Sequence, residues 1–269
     1  MTGQREQTAK FRALHAGFLV LPNAWDAASA KMSETAGAAA VATSSAAVAW
    51  CHGYADGEHM PRDVVMTATR EVLRVVGVPV TVDSEAGYSA DPAKAADHVA
   101  ALIDLGVAGI NIEDGRDPPD LLAAKIKAIK AVAKAKDGDI FINARADVYL
   151  KNLVPDEEKL AEMIRRATLY AAAGADGFFA PGMSGLAAIA DVVRATALPV
   201  NCLVQKALPP LAELKRIGVR RISAGAGPGR AAYGAAARAM TMLLDDGMPD
   251  AIFTTSADCP DFNAQFTRA

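Results

Sequence analysis

The chain has 269 residues, a formal net charge of −3, and a composition that is 52% hydrophobic but only 6% aromatic. Its Lys and Arg are scattered and form no basic stripe, which argues against nucleic acid as a partner, and no apolar run reaches the roughly 18 residues of a membrane span. Three cysteines, Cys51, Cys202 and Cys259, are too few and too dispersed for a disulfide framework or a zinc site.

The opening segment "MTGQREQTAKFRALHAG" is polar with a helical pattern and does not read as a signal peptide. The expectation is a reduced, cytoplasmic protein. "FLVLPN" follows as a first strand near residue 20. From there a phrase recurs: a helical stretch, a glycine, then a short apolar strand. It appears as "ETAGAAAVATS", "DLGVAGINIED", "AAGADGFFAPG" and "RIGVRRISAG", with Gly37, Gly106, Gly174 and Gly218 as left-handed helix caps. "VPVTVD", "IFINARAD" and "LPVNCLV" complete eight strands, centred near residues 20, 41, 80, 110, 142, 178, 200 and 222. Between them, Leu122, Ile126, Ile129 and Val132 keep the spacing of one buried helix face over 118–136, as do Leu160, Ile164, Ala167 and Ala171 over 155–173.

Eight strand–helix units with near-continuous apolar strands imply a parallel sheet covered by helices. One (β/α)8 TIM barrel over residues 1–246 accounts for all of them. A doubly wound sheet is the alternative, but no glycine-rich phosphate turn follows the first strand. After the eighth strand, "GRAAYGAAARAMTMLLDDG" reads as a helix with small residues (Ala232, Ala235, Ala236, Ala239) on more than one face. The tail, 247–269, breaks the periodicity and is expected to pack on the barrel or a neighbouring subunit.

Barrel chemistry sits at the C-terminal ends of the strands. Those ends carry Asn23 and Asp26; Thr43, Ser44 and Ser45, with Asp56 in the loop beyond; Asp83 and Glu85; Glu113 and Asp114; then Asn143, Arg145 and Asp147. The later exits, "APG", "LVQK" and "SAGAGPG", carry little charge. Carboxylates crowded into one sector call for a divalent cation, and hard oxygen donors favour Mg²⁺ or Mn²⁺ over zinc.

The same segments, "LPNAWDAASA", "ATSSAAVAWCHGYADG", "VPVTVDSEAGY", "GINIEDG" and "INARAD", resemble the phosphoenolpyruvate mutase/isocitrate lyase superfamily, in order, from residue 21 to about 235. The resemblance implies a Mg²⁺-dependent barrel enzyme that makes or breaks a C–C or C–P bond beside an enolpyruvate unit. It makes Asp83 the direct metal ligand, with Asp56, Glu85 and Glu113 holding metal-bound waters. It assigns the substrate carboxylate to Ser44, Ser45 and Ala46, and its charge neutralisation to Arg145. Glu85 stands where many members have a second Asp. The resemblance also implies exchange of the last helix between subunits and a dimer of dimers.

One segment departs from the pattern. After the fourth strand, "EDGRDPPDLLAAKIK" is short and has no Cys, where lyases of the superfamily carry a Lys-Cys-Gly-type loop and mutases a Lys- and Asn-bearing lid. Lys125 and Lys127 fall in the following helix and are expected at the surface. The functional expectation is a lyase or decarboxylase cleaving a C–C bond of a small 2-oxo (or 2-hydroxy) di- or tricarboxylic acid through a metal-stabilised enolpyruvate. The alternatives are a phosphonopyruvate-type mutase or hydrolase, and a 2-oxo acid binding protein with little turnover. Tyr88 follows the metal motif and is expected to line the pocket. Cys51, His52 and Tyr54 precede Asp56 and are read mainly as structural, with His52 or Tyr54 the alternative proton donors. His15 and His98 are read as structural, and "AGAGPGR" (224–230) as a lesser candidate for phosphate.

Overall fold

The computed structural model describes residues 2–246 and 249–267. Nine strands form one sheet: β1 (Leu19–Leu21), β2 (Asn23–Ala24), β3 (Val41–Thr43), β4 (Val80–Asp83), β5 (Gly109–Glu113), β6 (Phe141–Arg145), β7 (Gly177–Phe179), β8 (Val200–Leu203) and β9 (Arg221–Ser223). All pairings are parallel, in the order β1-β9-β8-β7-β6-β5-β4-β3-β2. The expected first strand is split at Pro22, which has no N–H to give to a ladder. Before the proline the segment pairs with β9, and after it with β3. The ring therefore closes through the backbone at that residue, and the architecture is the (β/α)8 barrel.

Alternation along the strands gives each one two unlike faces. The outward set, including Val80, Val82, Ile110, Ile112, Ile142, Ala144, Phe178, Cys202 and Ile222, joins helix residues such as Leu102, Leu122, Ile126 and Met163 in the main hydrophobic core. Each large aliphatic side chain buried there contributes about 1.5–3 kcal/mol relative to exposure. The inward set is largely polar: Thr81 and Asp83, Asn111 and Glu113, Asn143 and Arg145, Asn201, Arg221 and Ser223. Arg221 Nη2 donates to Asn111 Oδ1 at 3.0 Å. Because β5 and β9 are not neighbours in the sheet, that bond crosses the barrel interior.

The N-terminal helix, Thr2–Leu14, closes the bottom of the barrel. Phe11 is fully buried and meets Phe141 edge-on at 5.3 Å. A Cβ at Gly109 would come within 2.8 Å of the Phe11 ring, so this strand start accommodates the plug by having no side chain. Gln4 Nε2 donates to Val107 O at 2.8 Å, and Arg12 pairs with Asp139 at 2.9 Å and with Asp176. His15 stacks on Phe141 at 4.2 Å, with Nδ1 on Phe11 O.

Two expectations shift in detail. In the helix Lys159–Ala173 the fully buried stripe is Met163, Ala167 and Tyr170, while Leu160 and Ile164 pack beside it partly buried. Arg166 and Tyr170 turn that stripe inward because both bind the buried Asp114. In the helix Gly227–Asp246, Ala239 is buried but Tyr233, Met240, Met242, Leu243 and Leu244 are exposed. The tail forms short helices at Asp250–Thr255 and Phe262–Phe266 and encloses, with Trp25, Met32 and Ala236, an apolar cavity of about 640 Å³. Residues 247, 248, 268 and 269 lie outside the described residues. Among the described residues no helix is long and apolar enough to cross a membrane.

Burial holds His15 at about 3 and His98 at about 4, below the ordinary histidine value. A base whose folded pKa is depressed contributes stability that is present above about pH 6.5 and is lost as pH falls toward the folded value. The expected slope is about 1.4 kcal/mol per pH unit for each ring. His15→Phe, which keeps a flat ring against Phe141, should therefore flatten the loss of chemical-denaturation stability between about pH 6.5 and pH 4. An unchanged slope would mean that His15 already titrates normally.

Candidate active site

Asp83 ends β4 and is half-buried at the barrel mouth. Its Oδ2 accepts from the Ser45 N–H at 3.1 Å, while Oδ1 is buried without a partner. Its own N–H donates to Thr43 Oγ1 at 3.0 Å, which ties the ends of β3 and β4 together. Burial pushes the Asp83 carboxyl above its usual range, against the pull of Arg145 and Ser45.

Ser45 begins the short helix Ser45–Cys51, and Ser44 is its N-cap residue. With Ala46 they line a cavity of about 130 Å³ at the barrel mouth, together with Asp56, Asp83, Asn111, Arg145 and Asn23. The structure thus brings six of the residues expected from sequence around one small space. Among the described residues no His, Cys, Lys or Tyr lines it.

Glu85 and Tyr88 lie just outside it. Both have left-handed backbones (φ 49° and 59°), as does Glu58 (φ 61°). The two glutamates are interlocked: the Glu58 N–H donates to Glu85 Oε2 at 2.5 Å, and the Tyr88 N–H donates to Glu58 Oε1 at 2.6 Å. The Tyr88 hydroxyl donates to Glu85 Oε1 at 2.9 Å. Its ring stacks on His98 at 4.7 Å and borders a separate cleft behind Asp83. Burial pushes Glu85 up to about 7.

Lys125, expected at the surface, is buried. Its Nζ donates to Ala86 O at 2.7 Å, beneath the loop that carries Glu85 and Tyr88. The reason is the start of its helix at Pro119, which sets Lys125 one face inward, alongside Leu122, Ile126 and Ile129.

On the other flank Arg145 is pinned. Nη1 lies 2.6 Å from Glu113, and Nε and Nη2 lie 2.6 and 3.1 Å from Asp147. Burial works against the guanidinium charge, but Glu113, Asp147 and Asp83 outweigh it and raise its pKa. Lys151 also reaches Asp147, at 2.9 Å, and Glu113, at 3.4 Å. Glu113 is nonetheless pushed up to about 7 by burial. Asp114 supports this flank by accepting from the Asp147 N–H, from Arg166 and from the Tyr170 hydroxyl.

Other sequence candidates lie elsewhere. Cys51 and His52 are exposed and do not line the cavity, and His98 accepts from Arg62 Nε at 3.3 Å. The N–H groups of Ala224 and Gly225, within the glycine-rich segment, both donate to Asn23 Oδ1 at 2.8 Å. Sequence reading missed Asn111 and Arg221. The available signal was strict alternation, since Gly109, Asn111 and Glu113 share one strand face.

Among the described residues no three His, Cys, Asp or Glu side chains converge into a metal cage. Mg²⁺ does not need one, because it usually keeps several waters and takes one or two carboxylates. The unpartnered, buried Oδ1 of Asp83, with Asp56 on the same cavity, fits that mode of binding.

The fold is a barrel whose mouth cavity is lined by carboxylates, one arginine and the Ser44–Ala46 segment. The family model described as phosphoenolpyruvate phosphomutase matches residues 11–244. An uncharacterized protein of Mycobacterium tuberculosis is 38% identical over 230 residues, 84% of each chain. Oxaloacetate decarboxylase 1 of Pseudomonas fluorescens is 31% identical, over 71% of this chain and 65% of its own length. A Burkholderia cenocepacia structure carrying a provisional phosphonomutase label is 40% identical, with a TM-score of 0.83 over 91% of this chain and all of that one. The chain belongs to the phosphoenolpyruvate phosphomutase family, within the phosphoenolpyruvate mutase/isocitrate lyase superfamily.

Burial pushes Glu85 up to about 7 and raises Glu113 in the same direction, which moves the loss of their protons toward neutral pH. Mg²⁺ affinity, measured by calorimetry with oxalate present, should rise from about pH 6 to pH 8 by up to tenfold per lost proton and then level off. A flat profile would remove both glutamates from any part in binding the cation.

Proposed function

We propose that this enzyme is a Mg²⁺- or Mn²⁺-dependent lyase that cleaves a C–C bond of a small 2-oxo di- or tricarboxylic acid, with decarboxylation as the leading reaction. The observation that carries this reading is the mouth cavity. A free Asp83 oxygen, Arg145 and the Ser44–Ala46 turn border one space of about 130 Å³, and among the described residues no side chain of the usual acid–base kind other than Asp56 and Asp83 lines it. Cleavages that release CO₂ or a carbonyl fragment need an electron sink more than a strong general acid. The similarity to oxaloacetate decarboxylase 1 supports the same reading.

In this proposal Asp83 holds the cation directly, with Asp56, Glu85 and Glu113 reaching it through water. When bound, the cation supplies positive charge to the oxygen on which negative charge develops as the bond breaks. Arg145 orients a substrate carboxylate, its position fixed by Glu113 and Asp147. The Ala46 N–H and the Ser44 hydroxyl receive carboxylate oxygens, beside the Ser45 N–H that Asp83 holds. Asp56, on the loop over the mouth, passes a proton through water to the product carbon. Tyr88 acts by holding Glu85. Phosphonopyruvate chemistry is the second reading, favoured by the likeness to the Burkholderia cenocepacia structure.

Incubation with Mg²⁺ and a panel of oxaloacetate, 2-methylisocitrate, dimethylmalate and phosphonopyruvate, followed by a pyruvate assay, tests the proposal. Turnover of oxaloacetate or another C–C substrate is expected, and Asp83→Asn should lower kcat by on the order of 10²–10³-fold. Tight oxalate binding with no turnover of any acid would identify a binding protein instead. The exposed apolar side of the helix Gly227–Asp246 supports a homo-oligomer, a dimer of dimers. Light scattering should give four times the mass of one chain, and a monomer at micromolar concentration would refute the assembly.

A further inference from the structure

The inward column beneath the cavity contains a buried cation with no carboxylate bonded to it. Arg221 is wholly enclosed, and the only hydrogen bond of its side chain among the described residues runs from Nη2 to Asn111 Oδ1, leaving Nε and Nη1 without partners. Asn143 Nδ2 donates to the same Asn111 oxygen at 2.9 Å. Asn143 has room there because β7 places Gly177 beside it, where a Cβ would come within 2.8 Å of Asn143 Oδ1.

These contacts fix which way the Asn111 amide points. A guanidinium can only donate, so the Asn111 atom facing Arg221 has to be its oxygen. The amide nitrogen must then point the other way. Asn111 lines the mouth cavity and is register-paired with Asp83 on one side and Asn143 on the other. Its Nδ2 has no hydrogen-bond partner among the described residues, whereas its Oδ1 has two. A neutral donor is therefore aimed at the cavity beside Asp83, with a positive charge behind it. Accepting two hydrogen bonds, one from a cation, polarises the amide and strengthens its N–H groups as donors.

We infer that Asn111 is a substrate-binding residue whose Nδ2 donates to the oxygen on which negative charge develops during C–C cleavage, and that Arg221 is a positioning residue that holds the amide in this orientation. The inference rests on the proposed lyase reading. It adds to it an uncharged oxyanion donor inside the barrel, distinct from the rim groups Arg145 and Ser44–Ala46. Such a donor favours acids whose reacting carbon bears a carbonyl oxygen over 2-hydroxy acids, whose own O–H gains less from an added donor.

Asn111→Asp is the decisive substitution. It keeps an oxygen for Arg221 and Asn143, so the fold is retained, but turns the cavity-facing donor into an acceptor. Asn111→Leu, of similar size, removes the donor without adding charge. Both should lower kcat on the best acid of the panel by on the order of 10²-fold, with a smaller change in KM, and should weaken oxalate binding in calorimetry with Mg²⁺. Arg221→Lys should retain part of the activity, because an ammonium also donates to Oδ1, whereas Arg221→Met should lower kcat more than KM by freeing the amide to turn.

Loss in Asn111→Asp together with full activity in Asn111→Leu would trace the effect to added charge and overturn the inference. So would normal kcat and oxalate affinity in Asn111→Asp. If Asn111→Leu does not fold, Asn111→Asp is compared with wild type across the panel, and an equal loss on 2-oxo and 2-hydroxy acids overturns the inference. Wild-type protein that binds oxalate but turns over no acid would refute the lyase reading alone, and the Asn111 donor would then be judged by oxalate affinity in the same variants.

Discussion

A closed parallel barrel separates its strand residues into two environments, and the working parts of this protein follow from that separation. Residues pointing outward meet helices and are aliphatic. Residues pointing inward meet only one another, and here many are polar. In β5 the alternation is explicit: Ile110 and Ile112 go to the helix layer, while Asn111 and Glu113 face the axis and rim. A buried polar group is costly unless hydrogen-bonded. The interior is a column only partly bonded, rising from the Phe11–Phe141 plug through Arg221 and the asparagines to the acids at the mouth, with Arg221 Nε and Nη1 left unpartnered within it.

At the mouth the balance of charge is deliberately uneven. Asp56, Asp83, Glu85, Glu113 and Asp147 face Arg145, Lys151 and, from below, Arg221. The cations are not distributed evenly among the acids. Arg145 and Lys151 are both drawn to the Glu113–Asp147 side, whereas one Asp83 oxygen has none. Burial raises the pKa of Asp83, Glu85 and Glu113 together. That is the expected response of carboxyls deprived of water, and it leaves the pocket short of positive charge on the side where Asp56 and Asp83 meet.

Much of this was legible in the sequence, because helix caps, apolar strands and acidic strand ends are local signals. The recurrent glycines marked the ends of the units, with Gly106 and Gly174 in the left-handed cap conformation, and the acids fell at the rim. What could not be read depended on partners far away in the chain. Lys125 looks like any solvated helical lysine until the loop at Ala86 is laid over it. Arg221 follows "GVR" in what reads as a plain strand start, and its meaning comes from Asn111, 110 residues earlier. The direction in which Glu85 turns was hidden too, since it depends on the loop carrying Glu58.

The break at Pro22 has a further consequence. Immediately after it, the Asn23 side chain donates to Thr43 O at 2.8 Å and accepts from the N–H groups of Ala224 and Gly225. One amide thus fastens the barrel's opening segment to the end of β3, where the Ser44–Ala46 turn begins, and to the loop that leaves β9. It works as a clasp across the seam of the ring. The shape of the cavity wall on that side is then set jointly by the first and the last strands of the chain, so a displacement of the loop after β9 reaches the Ser44–Ala46 turn through the Asn23 side chain as well as through the backbone bonds of Leu21 and Ala24.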